Sequence, residues 1–197
     1  TAIDILERGG NAMDAAIAGA VLLGICEPQM TGIGGDCFAL YTLPGNEEVH
    51  ALNGSGRAPA ALDAALLRQK GEATVPVRSA HAVTIPTAID AFCHLSETVG
   101  KIGLDTILQP AIRYAEQGVP VNEGKPPKIG DLFTAPGQAE VLRRIAENGR
   151  NAFYTGEIAD DMIATLQAMG GAHTQDDFAT AACDQTTPVT GAYKDIE

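Results

Sequence analysis

Aromatic and basic residues are scarce in this sequence. It has no Trp, aromatic side chains make up 5% of its 197 residues, and 13 Lys and Arg stand against 25 Asp and Glu, which gives a net charge of −12. Nucleic-acid binding requires clustered Lys and Arg, and anionic membrane surfaces attract the same residues. We therefore predict no nucleic-acid partner and no membrane partner, and we interpret the acidity as a source of solubility.

Metal-binding patterns are also missing. The four cysteines form no Cys-x-x-Cys pair, and the four histidines have no ligand spacing. The sequence therefore predicts no structural metal and no cofactor. Cys26 and Cys93 lie in apolar helical stretches and are interpreted as small buried hydrophobic residues. The pattern neither requires nor forbids a disulfide.

Targeting signals are absent as well. The sequence contains no signal peptide and no apolar run of membrane-spanning length. It does not begin with Met, and residues 1–10 (TAIDILERGG) have the pattern of the last turns of a helix. We expect the true N-terminus to lie upstream, and the localisation therefore stays open.

The patterns that are present indicate an α+β chain in which helices outnumber strands. Asn11 fits an N-cap with Asp14 in the first turn, and the helix that follows is apolar all round, which predicts burial on most sides. A hairpin alone needs partner strands, and we expect these outside this chain. The predicted helices cover residues 1–8, 11–26, 60–70, 88–99, 104–117, 139–148, 158–169 and 174–179, and the predicted hairpin strands cover 37–42 and 49–53.

The glycine-rich segment 31–36 (TGIGGD) has two interpretations. Successive backbone N–H groups of such a turn can hold a phosphate. However, it lacks the Lys-Ser/Thr of a P-loop and precedes a strand, whereas a dinucleotide fingerprint opens a helix. A tight structural turn is the favoured interpretation.

The loop 53–59 (NGSGRAP) contains the best candidate for substrate binding. Its glycines free the backbone beside Arg57, whose guanidinium can pair with a carboxylate through two hydrogen bonds. The alternative is an exposed arginine or a structural ion pair. Other polar residues do not name a function: the histidines are scattered, Asp176-Asp177 fits a helix start, and Tyr154 fits a packed aromatic.

Taken in order, the motifs resemble those of the γ-glutamyltranspeptidase family. The resemblance begins with LERGGNAMDAA at residues 6–16 and spans essentially the whole chain. Single matches are weak, but the collinear set is specific. The later matches are Glu27-Pro28, the glycines and Phe38 of 32–38, Ala58-Pro59, Pro86, Gly100-Lys101, QPAI at 109–112, AEQGVPV at 115–121, FYTGEIA at 153–159, Gly170-Gly171 and TQDDF at 174–178.

The resemblance implies an αββα sandwich of the N-terminal-nucleophile hydrolases, made as one precursor that cuts itself. The nucleophile is then the new N-terminal Thr of a small subunit, which attacks a γ-glutamyl amide to form an acyl-enzyme. This chain resembles the large-subunit part, so residues 1–197 are expected to form part of one domain without a catalytic residue of their own. The implied partners are the small-subunit chain, in a heterodimer or a dimer of heterodimers, and a small amide substrate.

The chain departs from the family pattern at three places. The family has Asp-x-Arg-Glu-x-Ala-Pro, whose Arg binds the donor α-carboxylate; Ser55 stands at the Arg position, Gly56 at the Glu position, and Arg57 comes two places after Ser55. Ser55 and Arg57 are therefore the predicted substrate-binding residues. The stretch from Val121 to Gly124 is short for the family, and Thr87 replaces a usual Gly.

Three functions stay open from the sequence. The loop version Gly-Ser-Gly-Arg resembles family relatives that act on other amides, such as oxamate amidohydrolase-like and cephalosporin-acylase-like members, so the enzyme is either a γ-glutamyl transferase or hydrolase or an acylase cousin. A non-catalytic binding protein on the same fold is the second possibility. Nucleotide binding through residues 31–36 is the third, and we expect none.

Overall fold

The first two helices meet at a turn that explains the GGNAMD motif. The computed structural model describes residues 1–120 and 132–192, and it begins with α1 (Ala2–Glu7) and α2 (Ala12–Cys26). Asn11 and Asp14 form a capping box, with Asn11 N donating to Asp14 Oδ2 at 2.8 Å and Asp14 N donating to Asn11 Oδ1 at 3.0 Å. The fully buried Asp14 carboxylate also accepts from Lys101 N at 3.0 Å. The predicted cap is confirmed, and it ties α2 to a distant turn.

Within residues 1–120 and 132–192, the main sheet has three antiparallel strands: the predicted hairpin and one strand from near residue 185. Strands β1 (Cys37–Thr42) and β2 (Val49–Gly54) form the predicted hairpin, with Ala39 opposite Leu52. The third strand, β5 (Asp184–Thr186), pairs with β2 and sets Asp184 opposite Asn53. The expectation that the hairpin finds its partner strands outside the chain was thus wrong for this edge of β2. Residues 184–186 (DQT) have no apolar alternation, so no sequence pattern marked them as a strand.

The remaining elements are mostly helices. A 3₁₀ turn covers Ala80–Ala82, and a short antiparallel pair is formed by β3 (Val119–Pro120) and β4 (Leu132–Phe133). The other helices are α3 (Ala64–Gln69), α4 (Ala88–Thr98), α5 (Leu104–Ile107), α6 (Gln109–Gln117), α7 (Pro136–Asn148), α8 (Asn151–Tyr154), α9 (Glu157–Ala168) and α10 (Gln175–Ala179).

Several predicted boundaries change for local reasons. The single helix expected at 104–117 is divided at Leu108, because Pro110 lacks an N–H and its ring clashes with the carbonyl four residues earlier in a continuous helix. The helix expected from residue 60 begins only after Asp63, whose side chain accepts from Ala65 N at 2.7 Å. Residues 119–137, which lie outside the predicted helices and strands, include β3, β4 and the start of α7. The short stretch from Val121 to Gly124 lies outside the described residues.

The α2 helix is less enclosed than its apolar sequence predicts. Its buried face carries Ile17, Val21 and Ile25, but Leu23 and Cys26 lie on an exposed face. The interpretation of Cys26 as a buried residue was therefore wrong, whereas Cys93 is buried as predicted. All four thiols are unpaired. None of the helices within residues 1–120 and 132–192 has the length and apolar character needed to cross a membrane.

The core lies between the helices and one face of the sheet. Ala39 and Leu52 point to this core, together with Ile85, Ile89 and Ala91. The opposite face of the sheet carries exposed apolar side chains on the hairpin, with Phe38 68% and Leu40 72% exposed. The loop after β2 leaves at the end of the sheet. It contacts the segment before α4 through Ile85, α10 through Asp177 and β5 through Asp184.

Candidate substrate-binding site

The loop after β2 is held by backbone contacts with its neighbours. Gly56 N donates to Asp36 Oδ1 at 2.9 Å, and Ile85 N donates to the Arg57 carbonyl at 2.9 Å. The Thr87 hydroxyl donates to the Gly54 carbonyl, so the residue that replaces the family's usual Gly has a structural contact. A Cβ at Gly56 would lie 2.0 Å from the Ile85 carbonyl oxygen. Residue 56 must therefore be Gly for the loop to lie this close to residue 85.

A cleft of about 360 Å³ lies beside this loop. Its size is that of a small-molecule site, and its walls come from three segments: 57–60, 85–87 and 177–184. Arg57 lines the cleft, and its role in substrate binding stays a prediction. Ser55 is exposed on the same loop, and its side chain is not among those that line the cleft.

Arg57 forms an ion pair with Asp184, the first residue of β5. Arg57 Nη2 lies 2.9 Å from Asp184 Oδ2, and the two side chains are 80% and 55% exposed. This is the single hydrogen bond of the Arg57 side chain within residues 1–120 and 132–192, and it uses one of five N–H donors. The exposed pair therefore leaves further donors of Arg57 and one oxygen of Asp184 open to a ligand.

A second arginine–aspartate pair lies behind the cleft and is largely buried. Arg150 Nε donates to Asp90 Oδ1, and Cys183 N donates to Asp90 Oδ2 at 2.7 Å. Arg150 Nη2 also donates to the carbonyls of Ala179 and Ala181. These bonds fasten residues 179–183, which form one wall of the cleft and lead directly to Asp184.

Tyr154 completes the buried cluster. Its hydroxyl accepts from Asp90 N at 3.0 Å, and the Arg150 guanidinium lies 4.5 Å from its ring centroid. Burial raises the pKa of the Tyr154 hydroxyl, which stays protonated. The interpretation of Tyr154 as a packed aromatic is confirmed by its full burial. Its contacts with Asp90 and Arg150 explain why the motif 153–159 has a tyrosine at this position.

The charges of this cluster are stabilised by their partners. Burial opposes ionisation of Asp90, but the bonds from Cys183 and the Arg150 guanidinium outweigh it and hold the pKa of Asp90 below its ordinary value. Burial and the neighbouring Asp90 raise the pKa of Cys183 to about 12. The Cys183 thiol is therefore neutral near pH 7 and is a poor nucleophile.

Asp177 is the other carboxylate of the cleft, and its oxygens are already occupied. Oδ1 accepts from Ala60 N at 2.9 Å, and Oδ2 accepts from Thr174 N at 2.9 Å within a capping box at the start of α10. Burial opposes ionisation, but these bonds outweigh it and lower the pKa of Asp177. The interpretation of Asp176-Asp177 as a helix start is confirmed for Asp177.

The glycine-rich turn 31–36 forms hydrogen bonds with other segments of the chain. The Gly35 carbonyl accepts from Thr87 N at 3.1 Å and from Ala88 N at 3.0 Å, and Asp36 binds the loop after β2 as described above. These contacts give the turn a structural role, in which it connects β1 with the start of α4.

A larger groove of about 520 Å³ runs between α7, α9 and this turn. Its apolar residues include Ile33, Phe153 and Met162. Its cation, Arg144, is bound to Glu140 at 2.9 Å and to Glu157 at 2.6 Å. The smaller cleft is the better candidate site because Arg57 forms one ion pair, whereas Arg144 forms two and keeps fewer free donors. Within the described ranges, no group of three or more His, Cys, Asp or Glu could hold a metal ion.

Sequence reasoning missed Asp184, which lines the cleft, and the pair Asp90–Arg150, which holds residues 179–183 next to it. Asp90, Arg150 and Asp184 are separated by 60 and 34 residues along the chain, and none belongs to a motif that names a pairing. The one local signal was a charged residue, Asp90, in an otherwise apolar helix start.

The comparisons with known proteins agree with the motifs. A model of the gamma-glutamyltranspeptidase family matches residues 1–124 and 121–197. This chain belongs to the γ-glutamyltranspeptidase family. The two matched segments overlap at residues 121–124. The glutathione hydrolase-like YwrD proenzyme of Bacillus subtilis is 33% identical over 217 residues, which cover 96% of this chain and 41% of that protein. The chain thus spans less than half of that relative.

Two solved structures are similar to this chain in fold. Cephalosporin acylase from Bacillus halodurans is similar with a TM-score of 0.90 and 35% identity over 98% of this chain and 42% of that one. Gamma-glutamyltranspeptidase from Pseudomonas nitroreducens, complexed with L-DON, is similar with a TM-score of 0.85 and 30% identity over 94% of this chain and 62% of that one. The predicted fold class, α+β in the N-terminal-nucleophile hydrolase sandwich, is confirmed.

Proposed function

We propose that this chain is the large-subunit part of an enzyme that cleaves γ-glutamyl amides, as a transferase or hydrolase. The observation that carries the proposal is Arg57, an arginine with free donors on the wall of a cleft, on the loop just before the family's Ala-Pro pair. A carboxylate-bearing acyl donor fits such a group because a guanidinium binds a carboxylate through two parallel hydrogen bonds. The family membership of the chain supports the reaction type.

The nucleophile of this enzyme lies in a downstream segment of the same precursor. Self-cleavage creates a new N-terminal Thr there, and its own α-amino group acts as the base that activates the hydroxyl. Backbone N–H groups stabilise the oxyanion, and water or an amino acid then takes the acyl group. Residues 1–197 form one part of the resulting domain and supply donor recognition through Arg57, with Ser55 on the same loop.

The exposed apolar side chains of the hairpin support a partner of this kind. Phe38, Leu40 and Val49 are 68%, 72% and 44% exposed, and an apolar sheet face of this type is stabilised by packing against a second sheet. We propose that the small-subunit chain supplies that second sheet, which gives a heterodimer of two products of one precursor.

A second donor class is favoured by two observations. The acylase from Bacillus halodurans is 35% identical to this chain, and Ser55 and Gly56 depart from the transpeptidase loop. An acylase acting on glutaryl or oxamate-type amides is therefore the alternative enzyme. Both donor classes bear a carboxylate, so both fit Arg57.

The test uses the complete precursor that contains this chain. We expect a denaturing gel to show two subunits after purification, and mass spectrometry to show an acyl group on the new N-terminal Thr after incubation with γ-glutamyl-p-nitroanilide. The matched control replaces that Thr with Ala, which abolishes both. A precursor that stays uncut and acquires no acyl group from γ-glutamyl, glutaryl or oxamate donors contradicts the proposal and favours a non-catalytic binding protein.

A further inference from the structure

The charged side chains that line the candidate cleft carry a net negative charge, which is unfavourable for a ligand that is only an anion. Its lining contains the guanidinium of Arg57 and the carboxylates of Asp177 and Asp184. The lining therefore has one more negative than positive charge. Like charges at short range disfavour binding, so a ligand that brings only a carboxylate to this cleft meets repulsion as well as attraction.

The two carboxylates differ in what they offer to a ligand. Asp177 is committed to Ala60 N and to Thr174, as described above. Asp184 has one hydrogen bond within the described part of the chain, from Arg57 to Oδ2. Its other oxygen is open, and its side chain is 55% exposed. Asp184 is therefore the carboxylate that a ligand cation can reach.

Free donors of Arg57 and the free oxygen of Asp184 lie side by side because the pair is joined by one bond of 2.9 Å. A carboxylate and an ammonium group on the same carbon atom match this arrangement: the carboxylate binds the guanidinium and the ammonium binds Asp184. The ligand then brings no net charge to an acidic cleft. If the ligand has no ammonium group, its carboxylate lies close to the Asp184 carboxylate, and the two negative charges repel each other.

We infer that Asp184 is a specificity-determining residue, which with Arg57 selects acyl donors with an α-amino acid end over donors with a carboxylate alone. This inference rests on the proposed function. It assigns to the edge strand β5 a role in donor choice. Arg57 by itself can bind both γ-glutamyl and glutaryl donors, and Asp184 distinguishes between them.

The experiment compares two donors that differ only in the α-amino group, L-γ-glutamyl-p-nitroanilide and glutaryl-p-nitroanilide, with the complete processed protein. We expect Asp184→Asn to lower kcat/KM for the γ-glutamyl donor about tenfold, the size of a lost charged hydrogen bond. The glutaryl donor is expected to be cleaved equally well or faster, since the repulsion is gone. The ratio of the two kcat/KM values is the readout, because a general loss of folded protein lowers both values equally.

The matched control is Asp176→Asn, which removes the same charge from an exposed position on α10 that does not line the cleft. It is expected to leave the ratio unchanged. Equal effects of Asp184→Asn on both donors, or none on either, overturn the inference while the proposed function stands. A wild-type protein that cleaves neither donor overturns the inference together with the γ-glutamyl proposal.

Discussion

Two arginine–aspartate pairs hold or include residues of the segment 179–184, and they are built in opposite ways. The Asp90–Arg150 pair is largely buried, and both of its members make further bonds to the backbone. The Arg57–Asp184 pair is exposed and joined by one bond. A buried charge without its partner is strongly destabilising, whereas an exposed pair contributes little to stability. The first pair therefore holds the wall of the cleft, and the second is free to bind a ligand.

The largest expected effect comes from breaking the buried pair. Asp90→Ala leaves Arg150 without its carboxylate and Cys183 N without its acceptor, so we expect a loss of about 3–5 kcal/mol in the free energy of unfolding. Urea unfolding of the complete protein measures it. The control is Asp4→Ala, which breaks the exposed pair of Asp4 with Arg8 and should cost less than 1 kcal/mol. Similar small losses in both variants would contradict the distinction between the two kinds of pair.

The next effect concerns the loop that presents Arg57. Gly56→Ala places a Cβ against the Ile85 carbonyl, and the loop must move, at a cost of about 1–3 kcal/mol. The control is Gly137→Ala, where an added Cβ meets no atom within 4 Å and where helix propensity favours Ala. Thermal unfolding of both variants checks this. Equal melting temperatures would show that the loop is not held as described.

The buried pair also predicts a pH dependence. Because the pKa of Asp90 in the folded protein is below its unfolded value of about 3.9, its stabilisation is fully present above the unfolded pKa and is lost as the pH falls through the folded pKa. The melting temperature of Asp90→Asn should therefore lie below that of the wild type near neutral pH, and the gap should narrow below about pH 4. A gap that stays constant in acid would place the stabilisation elsewhere.

Local signals gave much of the fold in advance, and long-range pairings did not follow from them. The cap at Asn11, the hairpin and the helix start at Thr174 were predictable because each depends on residues close together in the chain. The strand β5 was not, because a short polar segment becomes a strand only when β2 lies beside it. Arg57 was predicted from its loop, whereas Asp184, its partner in the cleft, lies 127 residues away.

The most direct measurement combines stability and kinetics in one variant, Arg57→Ala of the complete protein. We predict that its free energy of unfolding stays within about 0.5 kcal/mol of the wild type, because the arginine is exposed. We also predict that its Michaelis constant for a carboxylate-bearing donor rises about tenfold or more, and that Arg57→Lys raises it too, since a lysine does not reproduce the fork. An unchanged Michaelis constant together with a clear loss of stability would contradict this assignment and make the exposed pair a structural one.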